Sequence, residues 1–245
     1  YIGVTGFMNA SEVVAAIDEF PDIPGNLPRR LMVGVLASSK TLAGQTNKHP
    51  NRYPRVHDIA SLFTQSDRVC NLIHYATDDP DTLPEQLARL EDHGGPFLDG
   101  FQLNMTWPKP KSIKVSERHP RVVLQINRRA LEQVNFESLR LLARLSEYEG
   151  VITDVLIDAS GGRGLPMDVA TTTKYVKLIH NNFDDLGVGV AGGLSCDSLP
   201  LLGDLVARLP NISVDAEGRL RTPEDHMDMV AMKQYLSAAG ELFRN

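Results

Sequence analysis

The sequence predicts a closed (β/α)8 barrel, an α/β fold of one domain over residues 1–245. Three observations carry this. Eight short runs rich in Val, Ile and Leu recur along the chain, as strands covered on both faces should read. A segment of helical character follows most of them, in steps of about 30 residues, the size of one βα unit. The total of 245 residues is close to the roughly 250 that such a barrel needs. The rival is an open doubly wound sheet. It usually carries a G-x-G-x-x-G turn after its first strand, and the sequence has no such spacing there.

The strands are expected at Tyr1 to Gly6, Leu31 to Ser38, Arg68 to Tyr75, Asp99 to Met105, Arg121 to Asn127, Ile152 to Asp158, Gly187 to Gly193 and Ile212 to Gly218. The first helix, SEVVAAIDEF, is capped by Asn9 or Ser11 and stopped by Pro21, because a short polar side chain can accept from the free N–H groups of the first turn. TLPEQLARLEDHGG has Thr82 for a cap, Pro84 near its first turn and Gly94 as its stop. The run from Arg129 to Gly150 reads as one helix. PMDVATTTKYVKLIHNN, SCDSLPLLGDLVARLP and TPEDHMDMVAMKQYLSAAGELF complete the series. TWPKPKSIKVSERHP holds three prolines and offers a short helix at best.

Composition narrows the function classes. The net charge is −6 and the isoelectric point is near 5.6. No cluster of Lys or Arg marks a nucleic-acid surface. No apolar run approaches the roughly 18 residues of a membrane-spanning helix. Cys70 and Cys196 form neither a disulfide framework nor a metal spacing, so a reducing cytoplasm is the expected compartment. The chain starts at Tyr1, which leaves room for a removed leader.

In a barrel of this kind the active site lies at the C-terminal ends of the strands. Asp158 ends the sixth strand. It is either a general acid/base or an acceptor for the amides of the loop behind it. Gly161 to Gly164 reads GGRG. Gly161 and Gly162 would let backbone N–H groups approach a ligand, and Arg163 would pair with an anion; a plain turn is the alternative. Gly192 and Gly193 end the seventh strand, with Ser195 where a helix should begin. A helix N-terminus there would hold a phosphate, with Cys196 in its first turn. Asp215 and Glu217 share one face of the eighth strand, and Glu217 is awkward beside a phosphate. His74 ends the third strand; Gln102, Asn104 and Gln125 end the fourth and fifth. The loop from Ser38 to Asp58 carries Lys40 and Arg52 as a clamp for an anionic group, or serves as a solvated lid or an oligomer contact. No second histidine at a strand end supports a metal centre.

These pieces, taken in order, are I-G-V-T (Ile2 to Thr5), F-Q-L-N (Phe101 to Asn104), L-I-D before G-G-R-G, A-G-G-L (Ala191 to Leu194) and S-V-D-A-E-G (Ser213 to Gly218). The set resembles the phosphoribosylanthranilate isomerase family, whose signatures are C-G-[IV]-T, V-Q-L-H, an aspartate before G-G-T-G, A-G-G-L and V-D-V-S-S-G. The resemblance runs from the first strand to the eighth. It implies an Amadori-type isomerisation of a phosphorylated ribosylamine, with Asp158 as the acid and Gly192, Gly193 and Gly218 at the phosphate. Asp215 matches the aspartate of the eighth strand. Three positions depart. Ile2 stands at the base cysteine, Asn104 at a histidine, and Ala216 with Glu217 at two phosphate-loop serines. A positioned base is worth roughly 10²–10⁴-fold, so these departures imply a divergent relative with an altered substrate.

The expectation is therefore an isomerase-type enzyme acting on a small anionic, phosphorylated or sugar-containing metabolite. Asp158 is its acid/base, and its partner is His74, Asp215 or Glu217. No cofactor is expected, and a homodimer is open to it. The alternatives are a non-catalytic ligand-binding or regulatory barrel and a metal-assisted hydrolase or lyase.

Overall fold

Eight parallel strands pair in sequence order, and the eighth closes onto the first. The computed structural model describes residues 1–23, 28–158 and 167–244. The strands are β1 (Ile2–Thr5), β2 (Leu31–Ser38), β3 (Val69–Ala76), β4 (Gly100–Leu103), β5 (Arg121–Asn127), β6 (Asp154–Asp158), β7 (Gly187–Ala191) and β8 (Ser213–Ala216). The protein is thus a (β/α)8 barrel, as the apolar runs predict.

Side chains alternate between two environments along each strand. Ile2, Val4, Val33 and Val35 pack outward into the main core shared with the helices. The opposite set, Met32, Cys70, Leu72, Val123 and Leu156, forms a second buried cluster that fills the barrel. Continuing the inward set towards the strand C-termini replaces apolar residues with Thr5, His74, Gln102, Gln125, Asp158 and Asp215, each 5% exposed or less. The interior is an apolar plug beneath a polar layer. At the opposite end Arg121 grips Asp154 at 2.8 Å.

The helices are α1 (Ala10–Glu19), α2 (Ser39–Leu42), α3 (Leu83–Gly94), α4 (Arg128–Gln133), α5 (Ser138–Ser146), α6 (Val169–His180), α7 (Gly203–Arg208) and α8 (Met229–Arg244). Asn9 caps α1 by accepting from the Glu12 N–H. Four sequence expectations need correction. Thr82 makes no capping bond to α3; its hydroxyl donates to Asp79 instead. The run after β5 is two helices, because Asn135 and Phe136 adopt positive φ (53° and 56°) and reverse the chain between α4 and α5. No helix starts at Ser195. Ser198 accepts from the Ser195 N–H and donates back to Gly193 O, and this compact turn holds the chain until α7. The final helix begins at Met229, because Asp228 accepts from the N–H groups of Val230 and Ala231.

Candidate active site

The polar layer forms the floor of a cavity of about 230 Å³ at the C-terminal ends of the strands. His74, Gln102, Gln125, Asp158 and Asp215 line it from inside the barrel. Asn104, Gly192, Gly193, Glu217 and Gly218 line its rim, with Arg52 and Tyr53 reaching over from the long loop after β2.

A chain of hydrogen bonds crosses the floor. Thr5 Oγ1 donates to Asp215 Oδ1 at 2.9 Å. Gln102 Nε2 lies 3.2 Å from Asp215 Oδ2, 3.2 Å from Gln125 Oε1 and 3.3 Å from His74 Nδ1. Gln125 Nε2 donates to Asp158 Oδ2 at 2.9 Å. Two carboxylates on β6 and β8 are therefore joined through two amides on β4 and β5. Parallel register sets the two acids level, since Asp158 pairs with Ala191 and Ala191 with Asp215, and the amides reach them diagonally across the barrel interior.

Burial shapes the protonation of this floor. It pushes the Asp215 carboxyl up to about 7; the hydrogen bonds from Thr5 and Gln102 oppose the rise, and the charges of Glu217 and Asp158 add to it. Burial also holds the His74 imidazole below its ordinary value, against the pull of Glu217 and Asp158. At the rim Arg52 bonds Glu217 at 2.8 Å and Asp225 at 2.6 Å. Burial opposes its charge, but the Asp225 bond and the Glu217 carboxylate keep the guanidinium above its usual pKa. His49 meets the other oxygen of Asp225 at 3.2 Å. The β2 loop is thereby latched to the segment after β8.

Several expected site residues lie elsewhere. Lys40 is exposed on α2 and does not line the cavity. Ser38 caps that short helix and turns Lys40 out to solvent. Ser195 is absent from the lining, since the turn through Ser198 replaces the expected helix start. Cys196 is likewise in no helix, and burial together with Asp197 pushes its thiol upward. Gly161, Gly162 and Arg163 lie outside the described residues. Asp225 carries no clear functional mark in the sequence. Its only signal was the acidic pair in TPED, and nothing local marks which of the two turns inward. Among the described residues no group of three or more His, Cys, Asp or Glu is arranged to hold a metal ion. No described helix is long and apolar enough to cross a membrane.

Ile2 faces the helix layer, not the mouth. Gly3, the next residue, has the inward position, where an added Cβ would meet Asp215 Oδ1 and Met32 Cε at 2.7 Å. The β1 residue in the polar layer is Thr5, fully buried behind Asp215.

No family model and no curated protein matches the chain. Solved structures do. TrpF from Jonesia denitrificans is 18% identical with a TM-score of 0.60, covering 98% of this chain and 96% of its own. Phosphoribosyl anthranilate isomerase from Thermus thermophilus is 14% identical with a TM-score of 0.66, covering 98% of each chain. The Thermotoga maritima isomerase is 16% identical with a TM-score of 0.65, covering 97% of each. The fold is a phosphoribosylanthranilate-isomerase-like barrel. In this barrel Asp158 on β6 and Asp215 on β8 line the mouth, and Thr5 on β1 bonds Asp215 from behind.

Proposed function

We propose that the protein is an enzyme that moves protons on a small sugar-type metabolite, phosphorylated or not, with Asp158 and Asp215 as its acid/base pair. The reaction is of isomerase type. Asp215 takes a proton from a carbon beside a carbonyl or imine, and Asp158 handles the proton at the neighbouring heteroatom. The observation that carries this is Asp215, pushed to about 7 in the cavity floor. A proton-transfer group works best when its pKa lies near the working pH. Asp215 thus supplies the proton acceptor that Ile2 cannot.

The cavity volume of about 230 Å³ is below the roughly 300–1,000 Å³ of drug-sized sites, which supports a small metabolite. Gly192 and Gly193 have positive φ (94° and 73°). Backbone in this conformation can turn successive N–H groups towards an anion. Glu217 would repel a phosphate at that rim, and its ion pair with Arg52 offsets the repulsion. Gln102, Asn104 and Gln125 offer amides to hydroxyls. A homodimer is part of the proposal, supported by a dimeric isomerase among the similar structures; light scattering on the eluted protein tests it. Two unpaired cysteines support a cytoplasmic location.

The test is turnover on a panel of aldoses, ketoses, their phosphates and their amine adducts. Asp158→Asn and Asp215→Asn should each lower kcat by roughly 10²–10⁴-fold with unchanged circular dichroism. Full activity in either variant removes that residue from the mechanism. Binding without conversion of any panel member points instead to a non-catalytic ligand-binding barrel.

A further inference from the structure

We propose that His74 presents Nε2–H to the cavity as a hydrogen-bond donor, and that Gln102 and Gln125 are positioning residues that set its tautomer. The inference rests on reading the barrel mouth as an active site, and it gives a defined role to another residue of that site.

The argument starts from Asp158. A carboxylate only accepts hydrogen bonds, so the Gln125 amide turns its nitrogen to Asp158 Oδ2, at 2.9 Å. Its oxygen is thereby turned to Gln102, 3.2 Å away. A carbonyl oxygen also only accepts, so Gln102 must present its nitrogen. Ionised Asp215, 3.2 Å from the same nitrogen, makes the same demand. The Gln102 oxygen is left buried with no partner among the described residues. The amide keeps this orientation at the expense of its own carbonyl. His74 Nδ1 lies 3.3 Å from that nitrogen. That NH2 has two hydrogens for three neighbours and accepts nothing, so an Nδ1–H would point at a donor group with no acceptor to meet it; Nδ1 therefore carries the lone pair, sharing the amide hydrogens, and the ring proton resides on Nε2.

No described residue bonds Nε2, and His74 lines the cavity. The donor is left for a ligand. Burial disfavours the charged ring, against the pull of Glu217 and Asp158. A neutral imidazole donor suits an oxygen that gains negative charge, since it can stabilise the oxyanion without protonating it. When Asp215 takes the proton from the substrate carbon, the C–H electron pair becomes the new C=C bond. The carbonyl pair moves onto oxygen, and His74 Nε2–H bonds that oxygen until the Asp158 carboxylate takes the proton of the neighbouring hydroxyl and passes it there.

Long-range 1H–15N correlation spectra of protein labelled with [15N]histidine test this, the His74 signals being assigned by their loss in His74→Gln. Wild type should show the Nε2–H tautomer at pH 7 and stay neutral at a pH where exposed histidines titrate. Gln102→Leu, checked for folding by its thermal melt, should give mixed tautomers. An Nδ1–H tautomer or an imidazolium in wild type at pH 7 overturns the proposal, as does an unchanged tautomer in folded Gln102→Leu. For any panel sugar that wild type converts, His74→Leu should lower kcat by about 10²–10³-fold with little change in KM. His74→Gln, which keeps an N–H, should recover part of it. Wild-type kcat in His74→Leu overturns the donor role. If wild type converts nothing, the isomerase proposal and the donor role fail together, and the spectra still decide the tautomer.

Discussion

Asp215 sits where burial disfavours its charged form. Its carboxyl is pushed from 3.8 to about 7. Between those values the folded protein holds a proton that the unfolded chain has released, so stability falls as pH rises through that window. Above it the penalty is on the order of 4 kcal/mol, and it no longer changes. Asp215→Asn removes the charge and still fits, because the amide oxygen can accept from Gln102 while its nitrogen donates to Thr5. The expected result is a higher melting temperature at pH 8 and loss of the decline between pH 4 and 7, which melts across that range will measure. Activity should run the other way. The base must be ionised, so kcat/KM should rise with pH through about 7. Asp158 and Asp215 were legible as strand-end acids in the sequence. Their coupling through Gln102 and Gln125 was not, because it depends on which residues the parallel register brings abreast.

The β2 loop and the segment after β8 meet only in the folded chain. Arg52, in a three-residue turn at Pro50–Arg52, bridges Glu217 and Asp225. Asp225 holds positive φ (70°), a conformation that Asp tolerates better than most residues. Arg52→Met should leave two half-buried carboxylates without the guanidinium that bridges them. We expect faster hydrogen exchange across residues 45–58 and a loss of about 1–3 kcal/mol, read by exchange mass spectrometry and melts. Unchanged exchange would show that the latch does not hold the loop. The length of this loop was a sequence signal; its partner lay more than 160 residues away. The split between α4 and α5 was hidden for a related reason. VNFES carries no Gly or Pro, and a left-handed Asn–Phe pair has no strong signature.

At the scale of the whole barrel, the two ends of the interior carry different charges. The mouth holds Asp158, Asp215 and Glu217, while the opposite end holds the Arg121–Asp154 pair. Asp154 is 7% exposed and bonds Arg121 at 2.8 and 3.1 Å. Arg121→Met should cost roughly 3–5 kcal/mol, since it leaves a buried charge without its partner. Arg121→Met with Asp154→Leu should recover much of that, and chemical denaturation of the pair of variants measures the difference. A double variant no more stable than the single one would place the cost in lost packing.

The sequence by itself determined the barrel. Eight buried parallel strands must each be apolar on both faces, and that pattern is local, so it survives in the order of residues alone. Alternation along β6 and β8 likewise marked Asp158, Asp215 and Glu217. Only the tertiary structure decided that Ile2 turns away from the mouth, that Thr5 takes its place beside Asp215, that Lys40 points to solvent, and that Arg52 finds Glu217 and Asp225. Each of these depends on strand register, closure and turn geometry, where a shift of one residue turns a side chain from the mouth to the helix layer.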